Sequence, residues 1–264
     1  MANSPRLWPN PPGNSPAPLP SSSVLFTMRD VIDIAPPEMP SVDSIDLDGL
    51  RNYAASHTLP DGRKLGDLID FSVRRPLLVA GELANPYRLC DIMAPDMPLI
   101  PVRLEDICRT WADSLDAREV KPGIHHVTIV RSPGWWEKSF ITLLEPADMK
   151  RIVQWLDGPN PNTWAPKRLA EGCIRLENDM DLPSPEFSQI SWDGIEERVE
   201  VEIPDANGPS LDLSTIMIPI HTRVGCYNSR GRVNRCVHYP QTEFHDKMFR
   251  RGSSFMWSDM LNFL

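Results

Sequence analysis

The chain has 264 residues, 41% hydrophobic and 24% charged, enough to bury one large core or two small ones. Its formal net charge of −9 excludes a general attraction to nucleic acid or anionic membrane, so any polyanion contact has to be local. Five scattered cysteines, an odd number with no CxxC pair, do not describe a disulfide framework and point to a reducing compartment, cytoplasmic or nuclear.

Ten of the 28 prolines fall in the first forty residues. Proline removes backbone donors and breaks helical periodicity, so residues 1–41 are expected to form a disordered or extended proline-rich arm, with Leu7 and Trp8 as its anchors. The only apolar cluster there, Val24 to Met28, is too short for the core of a signal peptide. No run in the chain approaches the roughly eighteen apolar residues needed to span a bilayer, so no membrane partner is expected.

Beyond the arm, Ile45, Leu47, Leu50, Tyr53 and Ala54 predict a short helix. Its leading acids suit the positive helix end, and they do not form a calcium loop, because Ala55 stands where the bidentate glutamate is required. "RRPLLVAGEL" predicts a short buried strand. Leu104, Ile107, Cys108, Trp111 and Leu115 give the apolar stripe of an amphipathic helix. "GIHHVTIVRSPGWWEKSFITLLE" predicts two strands around a Ser132-Pro133-Gly134 turn, with Trp135 and Trp136 on opposite faces. "PADMKRIVQWLDG" carries Pro146 in a first helical turn, Met149, Ile152, Val153 and Leu156 on one face, and Gly158 at the C-terminal cap. The acids of "ENDMD", Glu177, Asp179 and Asp181, precede Pro183 and Pro185 and are expected in a solvated loop.

"RVEVEIPD" alternates Val199, Val201 and Ile203 with charged residues, as a half-wet strand does. "PDANGPS" predicts a turn, "LDLSTIMIPIHTRV" a returning strand, and "GRVNRCVHY" a third. The fold class expected is α+β, with helices mainly in the N-terminal half and an antiparallel β-meander in the C-terminal half. Residues 42–264 are expected to form a single domain with a subdivision point near 158–166, ending in an amphipathic helix over 253–264 that presents Trp257 and Leu261.

The candidate chemistry gathers between His221 and Leu264, where seven Lys or Arg face three acids in an otherwise acidic chain. Cys226, Cys236, His238 and His245 could supply a thiolate and its base, with Cys236 and His238 on one strand face. Their spacing matches no zinc motif, so no metal and no cofactor are expected. Arg230, Arg232, Arg235, Arg250 and Arg251, interleaved with Tyr227, Tyr239, Phe244 and Phe249, have the composition of a contact to single-stranded nucleic acid or a partner. On a strand, the same arginines would instead answer Glu200 and Glu202 of the neighbouring strand. "HVTI", His126 to Ile129, resembles one half of the H-x-T-hydrophobic signature of the two-histidine phosphoesterases. Those enzymes hold phosphate between two copies, and His57-Thr58 and His221-Thr222 differ in order and spacing. Phosphate-loop, dinucleotide and nucleophile-elbow motifs are absent from the sequence.

The functional expectation is therefore a non-enzymatic structural or interaction protein. It self-assembles into a homo-oligomer, or docks a protein partner, through its terminal segments. The alternatives are a hydrolase or transferase using Cys/His chemistry within 221–251, and a nucleic-acid contact through the basic stretch.

Overall fold

The computed structural model describes residues 19–115, 125–158, 162–178, 181–221, 232–244 and 247. Strand β1 (Val24–Phe26) pairs antiparallel with β2 (Val31–Asp33), and Thr27 closes the turn, its hydroxyl accepting from the Asp30 N–H at 2.9 Å. Phe26 is fully buried. The arm expected over 1–41 is thus corrected for residues 19–41: three apolar residues suffice to pair with a sheet edge. Residues 1–18 lie outside the described residues.

A two-residue strand, β3 (Ser44–Ile45), leads into α1 (Leu47–Ala55), whose N-cap Asp46 accepts from the Gly49 N–H at 2.8 Å, satisfying a donor the helix leaves free. Next come β4 (Arg75–Leu78) and α2 (Pro86–Ile92). The molecule is then organised by two long antiparallel strands, β5 (Met97–Leu115) and β6 (His125–Leu144). Their register runs from Ile100 opposite Ile141 to Glu105 opposite Trp136, and resumes with Ile107 opposite Arg131. Between these stretches β5 bulges at Asp106 (φ 60°) and β6 at Ser132 to Trp135. The Gly134 N–H donates to Asp106 Oδ1 at 2.7 Å across the bulge. Gly134 has φ 74°, and a Cβ there would meet Val199 Cβ at 3.3 Å, so both conformation and space favour glycine.

The helix expected over Leu104 to Leu115 is therefore a strand. The bulge inserts one residue, so Leu104 and Ile107, three apart, join the same core. Both faces are covered, so Cys108 is buried on one and Ile107 and Trp111 on the other, which reproduces helical spacing without a helix.

Helix α3 (Pro146–Asp157) forms as its sequence predicts, with Pro146 at its start and Gly158 (φ 56°) at its end. Strands β7 (Trp164–Lys167) and β8 (Cys173–Leu176) follow. β5 pairs with β6 along one edge and with β1 and then β8 along the other, while β4 extends the sheet beyond β6. Met97 and Leu99 face a core with α2 and α3; Ile100, Val102 and Leu104 face another with α1. The sheet is thus sandwiched between helical layers.

The C-terminal half holds a hairpin of β9 (Ile190–Trp192) and β10 (Glu197–Val199), then β11 (Ser210–Leu211), β12 (Ile218–His221) and the single turn α4 (Gln241–Glu243). It is not a meander. β11 pairs antiparallel with β8 and parallel with β3, whereas β12 pairs with β7. The turn 204–209 lies against β8, with the Leu176 N–H donating to Pro209 O at 3.1 Å, and a side chain at Gly208 would collide with the Leu176 carbonyl. That close approach sends the chain to a distant strand instead of back along β10. The expected division into a helical N-terminal half and a C-terminal meander is thus overturned: strand outweighs helix, and the main sheet is mixed. No helix among the described residues is long and apolar enough to cross a membrane.

Candidate interaction site

The basic stretch approaches the middle of β5 and stops being a strand there. Arg235 makes an isolated bridge to Thr110, Thr110 Oγ1 donates to Asn234 O at 2.8 Å, and the Cys236 N–H donates to Arg109 O at 3.0 Å. The His238 and Tyr239 N–H groups both turn back to Arg235 O at 3.1 Å. This turn breaks the strand face that Cys236 and His238 were expected to share. Cys236 packs against the cluster of Trp111, Val127 and Phe244. His238 instead sets its ring edge-on to Trp135, centroids 5.3 Å apart. Cys226 and His245, the other members of the candidate Cys/His group, lie outside the described residues, as do Arg230, Arg250, Arg251, Trp257 and Leu261.

Arg232 and Arg235 are held by one carboxylate. Glu197 on β10 takes Arg232 Nε at 3.0 Å through one oxygen and Arg235 Nη2 at 2.9 Å through the other, and the second oxygen also accepts from the Val233 N–H at 3.3 Å. The partners expected from the sequence, Glu200 and Glu202, are exposed; intramolecular pairing occurs, but three residues earlier on the strand. Arg235 also donates to Ser132 Oγ at 2.7 Å, and its guanidinium lies 4.6 Å from the Trp135 ring centroid. Its side chain is 3% exposed, so it is spent inside the fold and offers nothing to a polyanion. Nearby, Glu137 on β6 reaches across the bulge to pair with Arg109 Nε at 3.1 Å and to accept the Arg109 N–H at 2.6 Å. Burial opposes the Arg109 charge, but the Glu137 carboxylate keeps its pKa above the ordinary arginine value.

Outside this clamp lies an open groove of about 580 Å³ lined by Ser184, Pro185, Glu186, Phe187, Val237, His238 and Tyr239. Phe187 is 49% and Val237 45% exposed. The Arg232 guanidinium sits 4.9 Å from the Phe187 centroid, and His238 and Tyr239 meet that ring edge-on at 5.8 and 6.4 Å. Trp111 Nε1–H donates to Tyr239 O at 2.9 Å and anchors the floor to β5. His238 Nε2–H donates to Pro185 O at 2.8 Å, which fixes the tautomer. Burial, reinforced by the Arg235 charge, lowers the His238 pKa against the opposing pull of the Pro185 carbonyl. The imidazole is therefore held neutral, as a wall of the groove. Burial likewise raises the Tyr239 pKa, keeping its hydroxyl protonated.

Three contributors escaped sequence reasoning. Glu197 and Phe187 carry no motif, and Trp135 stood in the sequence only as one of two tandem tryptophans. Both tryptophans are buried, Trp136 Nε1–H donating to Pro183 O at 2.8 Å. The half-signature histidine, His126, does meet a second histidine. Its ring stacks on His221 at 4.9 Å and meets Trp164 edge-on at 5.0 Å. The two imidazoles are buried against each other, and the void beside Trp164, about 10 Å³, is too small for a phosphoryl group. His125 is buried as well, under Phe244 at 4.9 Å. Glu177, expected in a solvated loop, is instead buried 3.9 Å from Arg103. Among the described residues no cluster of His, Cys, Asp and Glu is arranged to hold a metal.

Fold and site together define a sheet-dominated protein with an exposed aromatic groove beside a buried charge clamp. No protein-family model, no curated protein and no solved structure matches the chain.

Proposed function

We propose that the chain is a non-enzymatic structural or interaction protein that self-assembles, the proline-rich segment 1–18 of one copy occupying the Phe187–Tyr239 groove of another. The observation that carries this reading is the groove itself. Exposed aromatic faces set beside a proline are the surface that extended proline-rich segments dock against, because such segments are already ordered and lose little entropy on binding. Residues 1–18 hold six prolines, and their Arg6 complements Glu186 on the groove. The paired state of Arg232 and the buried, paired state of Arg235 support a partner that is not a polyanion.

Light scattering behind size-exclusion chromatography tests it on the full chain, on residues 19–264 and on Phe187→Ala/Tyr239→Ala. The truncation starts before β1, so the sheet stays intact. Expected are a mass at a multiple of 29.9 kDa for the full chain and monomers for the other two. In addition, a labelled peptide of residues 1–18 should bind residues 19–264 and lose about tenfold in affinity on Phe187→Ala, as the loss of an aromatic anchor implies. Three monomeric proteins and no peptide binding refute the assignment.

A further inference from the structure

A second cleft, also of about 580 Å³, opens where α3 crosses the edges of β4, β7 and β12. Its volume falls in the range of small-molecule sites, roughly 300–1,000 Å³. The floor is apolar: Leu77 from β4, Met149 and Val153 from α3, and Met217 from the segment entering β12. Met217 is fixed there by hydrogen bonds to β4, its N–H to Pro76 O at 3.0 Å and its carbonyl to the Leu78 N–H at 2.9 Å. Pro146 and Pro166 line the walls and contribute no N–H, so backbone donors are sparse where a ligand would sit.

The rim supplies what the walls lack. Arg75, Lys150 and Arg168 line the cleft, no carboxylate among the described residues lines it, and all three are exposed. In a chain of net charge −9, none of these three has an ion-pair partner among the described residues, whereas Arg51, Arg63, Arg131, Arg151, Arg175 and Arg198 each do. On α3, Asp148 pairs with Arg151 at 3.1 Å. Ser214 and Thr215 add hydroxyls at the margin.

We propose that this cleft binds an amphiphilic anion, an alkyl chain bearing one carboxylate or phosphate. The apolar floor takes the chain, and Arg75, Lys150 and Arg168 take the head. The site shares no lining residue with the Phe187 groove and stands or falls independently of self-assembly.

Titration calorimetry on the full chain tests it, with decanoate, decyl phosphate, decan-1-ol, decyltrimethylammonium and inorganic phosphate, each below any micelle concentration. One molar equivalent of decanoate, of decyl phosphate or of both should bind, with affinity falling as salt is raised. Decanol, the cationic analogue and phosphate alone should bind at least about tenfold more weakly, since three exposed cations at roughly two- to fivefold each give that discrimination. The Arg75→Gln/Lys150→Gln/Arg168→Gln variant changes only exposed positions and should lose the same factor, while Val153→Trp fills the floor and should remove binding with the circular dichroism spectrum unchanged. Absence of binding, equal affinity for decanol and decanoate, or an unaltered affinity in the triple variant each overturns the proposal.

Discussion

Glu197→Ala tests the charge clamp most directly. One carboxylate, itself 9% exposed, neutralises Arg235 at 2.9 Å and Arg232 at 3.0 Å, with side-chain exposures of 3% and 18%. Removing it leaves Arg235 charged and buried, with Ser132 Oγ and the Trp135 face as its remaining side-chain contacts among the described residues. Breaking a buried pair in this way costs about 3–5 kcal/mol, most of it from the stranded charge. Arg232 adds little, since its partial exposure lets water replace the carboxylate. The control is Glu200→Ala, an exposed acid expected to change stability by no more than about 0.5 kcal/mol. Urea denaturation of both variants on the residue 19–264 chain separates them without interference from assembly. If the two midpoints coincide at equal slope, Glu197 does not neutralise a buried charge and the clamp is wrong.

Three further outcomes are expected. Phe26→Ala should cost about 3–5 kcal/mol by thermal or chemical denaturation, because Phe26 is fully buried in the core beside α2 and α3; an unstructured arm would show no change. Gly134→Ala should cost about 1–2 kcal/mol, since φ 74° is unfavourable for any L side chain and Val199 crowds the new methyl group. Stability should fall as pH drops below about 6.5, the ordinary histidine pKa. Burial lowers the pKa of both His57 and His238. The unfolded chain therefore takes up protons that the folded chain refuses, and the associated stability is complete above the ordinary value and lost down through the depressed ones. His57→Phe/His238→Phe should flatten that slope in a series of denaturation curves; a slope unchanged by it points to other groups instead.

Much of the secondary structure was legible locally. α3 announced itself through Pro146, a single apolar face and Gly158, all features within one element. α1 did so through Asp46 and the spacing of Leu50, Tyr53 and Ala54. The two halves of β6 were readable as strands, although what joins them is a bulge and not a reversal. β5 was not readable, because periodicity reports which residues are buried, and burial on both faces combined with one inserted residue produces the spacing of a helix. The candidate site was partly legible: arginine and aromatic residues marked the right segment, but the turn at Cys236 to Tyr239 depends on contacts with Arg109 and Thr110, over a hundred positions away.

By itself, then, the sequence determined the capped helices, the apolar strands and the charge asymmetry, because each rests on composition or on neighbours within a turn or two. Only the tertiary structure decided that Val24 to Phe26 joins the sheet, that Leu104 to Leu115 is extended, and that Glu197 and not Glu200 meets the arginines. Those outcomes turn on which distant edge is free to pair and on which faces end up covered, and long-range pairing leaves no periodic trace in the chain.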